Sequence, residues 1–530
     1  MAQNKIGARA ARSTLIITLI IIVSKLVGFV REMVFAAYFG TGAISDAYTN
    51  ANSVVNILIL LFSACISSTF IPIYLKTKRL EGPAAANRYA NNVMTVFAVV
   101  GIAVGALGYF FAQEICELFM PTLIPTAPQG SALYLTQIEK LAQTADLARI
   151  MFPSMAFAAT TGVFTSLLNA NERFVPEQLT GFALSLCVIL ACVCFSGYGI
   201  TAVAVATALT YVLQLFIVIP FLRGVYRFRP TLHSGGKVKH TVLLALPAIL
   251  SMAFDEINHL VDKNIGISLG DGPNTALTYA YRIITLVLGV LVVPITTVMF
   301  SRLSEYAAEG RNKSILAATK QCLEVLSIII LPVMLLAAVQ STDVIRLLYF
   351  RGAFDEYSLE LTSAAFLFYI LGVLAFAWRN FLTRVFYAIQ DTRAPLVIGV
   401  AAVGVNIALD IVLAGPMGVG GLTLATSIAG GVGAALMLFR LRRKLGRIGF
   451  ASTAVEVCKT LVAACAGAVV AMLVSNAVGG GSATGALLLR LVLSTGAGLV
   501  AYLILVVLFR VREVNTVTNL IFGRFKRRKR

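Results

Sequence analysis

The side chains best able to do chemistry in this chain are charged groups set in apolar surroundings. The run SMAFDEINHLVDKNIG carries Asp255, Glu256, His259, Asp262 and Lys263, which share one stripe two turns long if the segment is helical. Such a stripe cannot face lipid. It suits a salt-bridge network with neighbouring helices or, because acid exceeds base, a proton or cation site in a wet cavity. A second group, Lys25, Arg31 and Glu32, lies within SKLVGFVRE, and Arg282 stands alone in TYAYRIITL. Asp46, followed by Asn50, Asn52 and Asn56, also reads as an ordinary acid near a helix N-terminus. Arg379, Asn380 and Arg384 precede Gln390, Asp391 and Arg393, a set that reads mostly as interfacial anchors. Arginine stays charged in a low dielectric and offers a planar fork of donors, so Arg31 and Arg282 with Lys25 suit a phosphate or diphosphate. No Walker A sequence, GxSxG or HExxH is present, so no enzyme chemistry, ATP site or metal site is expected.

The elements that must carry these charges follow from composition. Of 530 residues 58% are hydrophobic and only 13% charged, with a mean hydropathy of +0.88. That is an all-α polytopic membrane protein. The formal charge of +19 does not signal nucleic acid, because excess Lys and Arg in such a chain collects in cytoplasmic loops. Apolar blocks of about 20 residues predict helices near 13–38, 44–75, 87–113, 145–170, 175–197, 199–222, 240–268, 274–301, 314–340, 358–387, 394–414, 418–440, 452–476 and 485–511, about 14 spans. The basic clusters before the first span, after spans two, six, eight and twelve, and in the closing FGRFKRRKR then all fall on one side, which places both termini in the cytoplasm. The first apolar block runs past Ala36 without a small-residue cleavage site, so it is expected to be retained. The eight cysteines lie mostly in apolar stretches and read as small buried residues.

Gly40 and Gly42 recur 230 residues later as Gly270 and Gly272, and Phe70 recurs as Phe300. An even number of helices separates the copies, the parallel kind of repeat found in transporters. The expected organisation is two six-helix lobes, 1–225 and 226–447, around a central cavity, then two extra helices over 448–512 and a basic tail over 513–530.

SKLVGFVREMVFAAYFGTGAISDAY, FIPIY, YAYRI and YAIQDTRAP resemble the MurJ (MviN) lipid II flippases of the multidrug/oligosaccharidyl-lipid/polysaccharide exporter superfamily. The resemblance covers essentially the whole chain. It implies a transporter, not an enzyme, in the bacterial cytoplasmic membrane, moving undecaprenyl diphosphate-linked disaccharide-pentapeptide to the outer leaflet by alternating access. It also implies diphosphate binding by Arg31 and Arg282, with Lys25 at a further family arginine and Glu32 and Asp46 at family acids. A hinge at Gly28 and a groove for the polyprenyl tail along the two extra helices are expected. Coupling to the membrane potential or to a monovalent ion would fall to Asp255, Glu256, His259, Asp262 and Lys263. Expected partners are lipid II, membrane lipids and the peptidoglycan synthesis machinery. Two departures stand out: NILILLF (Asn56 to Phe62) lacks the bases that many relatives carry, and Tyr281 replaces an acid before Arg282. A flippase for another polyprenyl-linked glycan, a cation-coupled drug exporter and a non-transporting scaffold are the competing readings.

Overall fold

The computed structural model describes residues 20, 23–128, 131–229, 256–446, 449–479 and 484–513, which are helical almost throughout and contain no strand. They form two compact units, 1–275 with 351–354, and 276–350 with 355–530. The first contains α1 (23–39), α2 (Ala43–Cys65), α3 (Ile71–Leu80), α4 (Pro83–Phe110), α5 (Ala112–Phe119), α6 (Ala132–Met151), α7 (Met155–Ala170), α8 (Val175–Cys194), α9 (Gly199–Val218) and α10 (256–268). The chain then continues through α11 (Pro273–Val287), α12 (Val293–Ala308), α13 (Asn312–Val339), α14 (Ser341–Tyr349), α15 (Glu356–Leu371), α16 (Val373–Ala388), α17 (Arg393–Met417), α18 (Val419–Leu445), α19 (Phe450–Val478) and α20 (Thr484–Leu508).

Ten helices among the described residues are long and apolar enough to cross a membrane, or eleven if α15 and α16, bent by 48°, count as one span. The all-helical membrane class therefore holds, while these residues alone do not reach fourteen. α1 and α10 are described only in part.

The repeat extends beyond the glycines. α4 and α13 each have 28 residues and each leads into a short amphipathic helix, α5 or α14. Gly40 and Gly270 both adopt positive φ, 56° and 117°, in the tight turns before α2 and α11. Both α2 and α11 give way to a five-residue π-helical segment, Ile66–Phe70 and Leu288–Val292. A proline, Pro72 or Pro294, stands two residues beyond the end of each π segment. Proline lacks the N–H that would continue the α ladder and its ring crowds the preceding turn, so wider hydrogen bonding just before it relieves the conflict.

In the first unit, one row of α2 side chains holds the turn between α10 and α11. Asp46 is buried, and its two carboxylate oxygens accept Gly272 N–H at 2.8 Å, Thr275 N–H at 2.8 Å and Thr275 Oγ1–H at 2.7 Å. One turn on, Asn274 Nδ2 donates to Asn50 Oδ1 at 2.7 Å. Asp46 thus caps the N-terminus of α11 from a different helix, satisfying donors that an α-helix leaves open. On its other side α10 buries Leu260 in the core made by Ala51, Val54, Met120, Leu123 and Met155.

In the second unit, the extra helices α19 and α20 meet at Gly467 and Gly498. A Cβ on either would come within 2.6 Å of the other's carbonyl oxygen, so only glycine allows this approach. Polar contacts fasten the pair to α13 and its end: Tyr502 Oη donates to Ile328 O at 2.7 Å, Ser494 Oγ to Gln340 Oε1 at 2.6 Å, and Lys320 Nζ to Ser452 Oγ at 2.5 Å. Arg490 pairs with Asp343 of α14.

Two outcomes follow from these contacts. Asp46→Ala strands three buried donors and should cost about 2–3 kcal/mol, read as an earlier melting transition in detergent, with Thr275→Val adding little on top; an unchanged transition would contradict the cap. Gly498→Val should cost about 1–3 kcal/mol through overpacking and loosen α19 from α20, detectable as a lower melting temperature.

Candidate functional site

The strongest feature of the first unit is an ion pair within α1. Arg31 Nη2 lies 2.5 Å from Glu32 Oε1, and the two side chains are only 13% and 10% exposed. Adjacent residues on a helix diverge by about 100°, so this contact needs the long arginine stem to fold back over the neighbouring turn. Two tyrosines from other helices lie near the pair. Tyr48 Oη of α2 shares a 3.0 Å hydrogen bond with Thr207 Oγ1 of α9, and Tyr211 Oη of α9 donates to Asn56 Oδ1 of α2 at 3.3 Å. Both phenols are close enough to feel the Arg31 charge. The result is a buried cation and one carboxylate with two phenols nearby, in which another oxyanion could take the place of the carboxylate on the guanidinium.

The other expected residues are placed as follows. Lys25 is exposed on α1, six residues before Arg31. α1 runs unbroken through Gly28, where a Cβ would meet Ser185 Oγ at an ordinary 3.8 Å. Asp46 is committed to the α11 cap. Arg282 is exposed on α11 in the second unit, and its neighbour Tyr281 packs its ring 5.9 Å from that of Tyr369. Of the α10 stripe, Glu256 and His259 are half-buried and Asp262 is 2% exposed. Lys263 Nζ donates to Ser53 Oγ of α2 at 2.5 Å. Asp255 lies outside the described residues. Next to the stripe, Asn264 secures the loop after α5, donating to Phe119 O at 3.0 Å and accepting from Thr122 Oγ1 at 2.9 Å.

The QDTRAP segment proves to be a joint between helices. Gln390 takes φ of 57° to end α16, and Asp391 Oδ1 accepts Ala394 N–H at 3.1 Å to start α17. Lys444 Nζ sits 2.7 Å from Asp391 Oδ2, and its hydrogen bond holds the Asp391 carboxyl below the usual carboxylate range.

Several polar residues escaped the sequence reading. Tyr48, Thr207 and Tyr211 carry no charge, and nothing in their spacing links them to Arg31. In α17, Asp410 and Asn406 are fully buried one turn apart. Asn406 Nδ2 reaches Thr426 Oγ1 of α18 at 3.5 Å, while no donor among the described residues reaches Asn406 Oδ1. The signal was a single acid inside the apolar run VNIALDIVLAG. Oxygen ligands of this kind suit a small hard cation. No set of three or more His, Cys, Asp or Glu side chains among the described residues is placed to hold a metal. Near the start of α19 an apolar groove of about 500 Å³ is lined by Ala454, Val455, Cys458, Lys459 and Val462, with Phe509 beyond α20.

Comparison with known proteins gives this geometry a setting. A solved structure of lipid II flippase MurJ in an inward-closed conformation superposes with a TM-score of 0.75, covering 93% of this chain and 98% of that one at 23% identity. An inward-facing multidrug resistance MATE family transporter of the MOP superfamily aligns with a TM-score of 0.68 over 80% of this chain and 95% of its own at 14% identity. These two likenesses concern the fold. The probable lipid II flippase MurJ of Rhizobium meliloti is 29% identical over 432 residues, 79% of this chain and 78% of that protein. The family model for lipid II flippase MurJ matches residues 35–493, which takes in most of both units and leaves out Lys25, Gly28, Arg31, Glu32 and the groove residue Phe509. This chain belongs to the lipid II flippase MurJ family.

Proposed function

We propose that the chain is a lipid II flippase that carries undecaprenyl diphosphate-linked disaccharide-pentapeptide from the cytoplasmic to the outer leaflet of a bacterial cytoplasmic membrane by alternating access. Family membership supports the substrate, and the observation that carries the mechanism is the buried Arg31–Glu32 pair. While the site is empty, Glu32 neutralises Arg31. An incoming diphosphate replaces Glu32 on the guanidinium and is replaced by Glu32 again on release, and Lys25 and, separately, Arg282 are the further cations assigned to the anionic cargo. At each exchange Arg31 keeps an oxyanion partner, so no step leaves its guanidinium unpaired in low dielectric.

The spans support this reading. Eleven membrane-capable helices, together with α1, the α2–α3 pair and α10, make fourteen: two six-helix halves, then α19 and α20, with both termini cytoplasmic. The boundaries 1–225, 226–447, 448–512 and 513–530 follow the same count. The groove on α19 has the apolar lining a polyprenyl tail needs. Bending is assigned to Gly28 and to the two π segments, where the backbone ladder is already interrupted. Glu256, His259, Asp262 and Lys263 with Asp255, and separately Asp410 with Asn406, are the seats assigned to a coupling proton or monovalent cation. The membrane potential supplies about 2.3 kcal/mol per charge per 100 mV.

Rescue of a bacterium depleted of its own lipid II flippase tests this reading. At matched membrane levels the unmodified chain should restore growth, and Arg31→Ala and Arg282→Ala should each fail to. A well-expressed chain that does not rescue points to a different polyprenyl-linked cargo, and full rescue by both variants removes the diphosphate site.

A further inference from the structure

The chain leaving α20 makes contacts that the transport scheme above does not use. α20 stops at Leu508, and Arg510 takes a positive φ of 51°. Arg510 N–H donates to Val507 O at 3.0 Å and Val511 N–H reaches back to Val506 O at 3.2 Å, so the helix closes and the chain turns off its axis. A side chain other than glycine keeps a left-handed backbone only where neighbouring contacts require it. Three such contacts follow directly. Val511 is buried, Arg512 N–H donates to Glu456 Oε2 of α19 at 3.2 Å, and Glu513 Oε2 accepts from Gln321 Nε2 of α13 at 3.1 Å. The segment is thus tied to both helices, and Phe509, beside the turn, lines the apolar groove of α19.

Glu456 is only 6% exposed, and both of its carboxylate oxygens are engaged. Oε1 accepts from Lys459 Nζ at 3.0 Å. Lys459 is the charged residue of the groove lining, and this bond draws its ammonium aside while its stem remains at the groove. A lysine at the end of a span keeps its charge solvated without a buried carboxylate, and burying a carboxylate is costly unless its oxygens are bonded. The ion pair accounts for one oxygen. The other is bonded to the backbone just beyond Phe509. One side chain therefore fixes the Phe509 wall of the groove and pairs the cation in its lining, which leaves a cleft suited to hydrocarbon.

We propose that Glu456 is a positioning residue for the lipid tail, holding the turn after α20 against α19 so that Phe509 stands as a wall of the groove. This rests on the reading that the groove receives the polyprenyl tail of the cargo.

Tail selectivity of the purified full chain in nanodiscs tests it. Undecaprenyl diphosphate and geranyl diphosphate share a headgroup and differ in tail, and comparing the ratio of their affinities between variants cancels partition of the probes into the bilayer. Glu456→Ala should weaken the long probe about tenfold and leave the short one unchanged. Phe509→Ala, which keeps the carboxylate, should act in the same direction to a smaller extent and stands in if Glu456→Ala does not fold. Glu456→Gln retains an acceptor for the Arg512 N–H and should restore most of the ratio. Equal weakening of both probes by Glu456→Ala, or no change in either, overturns the positioning role. Val462→Trp, which fills the groove, separates that failure from failure of the tail reading. If Val462→Trp abolishes the preference for the long probe while Glu456→Ala and Phe509→Ala preserve it, the positioning role is overturned and the tail groove stands; if Val462→Trp also preserves it, the groove does not hold the tail and both fall.

Discussion

A charge cannot stay alone in hydrocarbon. At mid-membrane an uncompensated Arg or Asp costs at least about 2.5–3.5 kcal/mol, and the placement of ionisable groups along this chain follows from that cost. Arg31 sits against Glu32 and Arg490 against Asp343. The Arg31 pair differs from a structural salt bridge in its surroundings. Tyr48 and Tyr211 lie near Arg31, and each is bonded to a neutral partner, Thr207 or Asn56.

The frame around that pair is rigid in some places and interrupted in others. Glycine contact between α19 and α20 and the polar links to α13 fix the extra helices. The Asp46 cap holds the α10–α11 turn through three hydrogen bonds. By contrast, the π segments before Pro72 and Pro294 leave α2 and α11 with weakened ladders in the middle of their courses. Firm turns at one end of a helix and a soft joint within it let the two parts of that helix move separately, which a cycle of alternating states needs.

Much of this was legible in the sequence, for physical reasons that also explain what was not. Spans could be read because a bilayer demands long apolar runs, and charges inside those runs marked Arg31, Glu32 and the α10 stripe. The task of Asp46 could not be read, because its donors lie 226 and 229 residues away and a first-turn acid looks the same with or without them. Tyr211 was invisible for a similar reason: an uncharged residue reveals its role only by proximity, and α9 meets α2 through tertiary packing. Asp410 was readable and missed, a single acid in an apolar run whose neighbour Asn406 carries no charge. The π segments left a trace in the paired Ile-Pro-Ile and Val-Pro-Ile sequences, although proline alone does not say whether a helix kinks, ends or widens.

The central claim, that Arg31 exchanges Glu32 for a lipid diphosphate during transport, is tested most directly in vesicles. The purified chain would be reconstituted with fluorescent lipid II confined to one leaflet, and appearance of the label in the other leaflet followed with an impermeant quencher. The account predicts transfer by the unmodified chain and loss of transfer in both Arg31→Gln and Glu32→Gln, the first because the diphosphate is no longer held and the second because it is not displaced. Transfer at the unmodified rate by Glu32→Gln would contradict it.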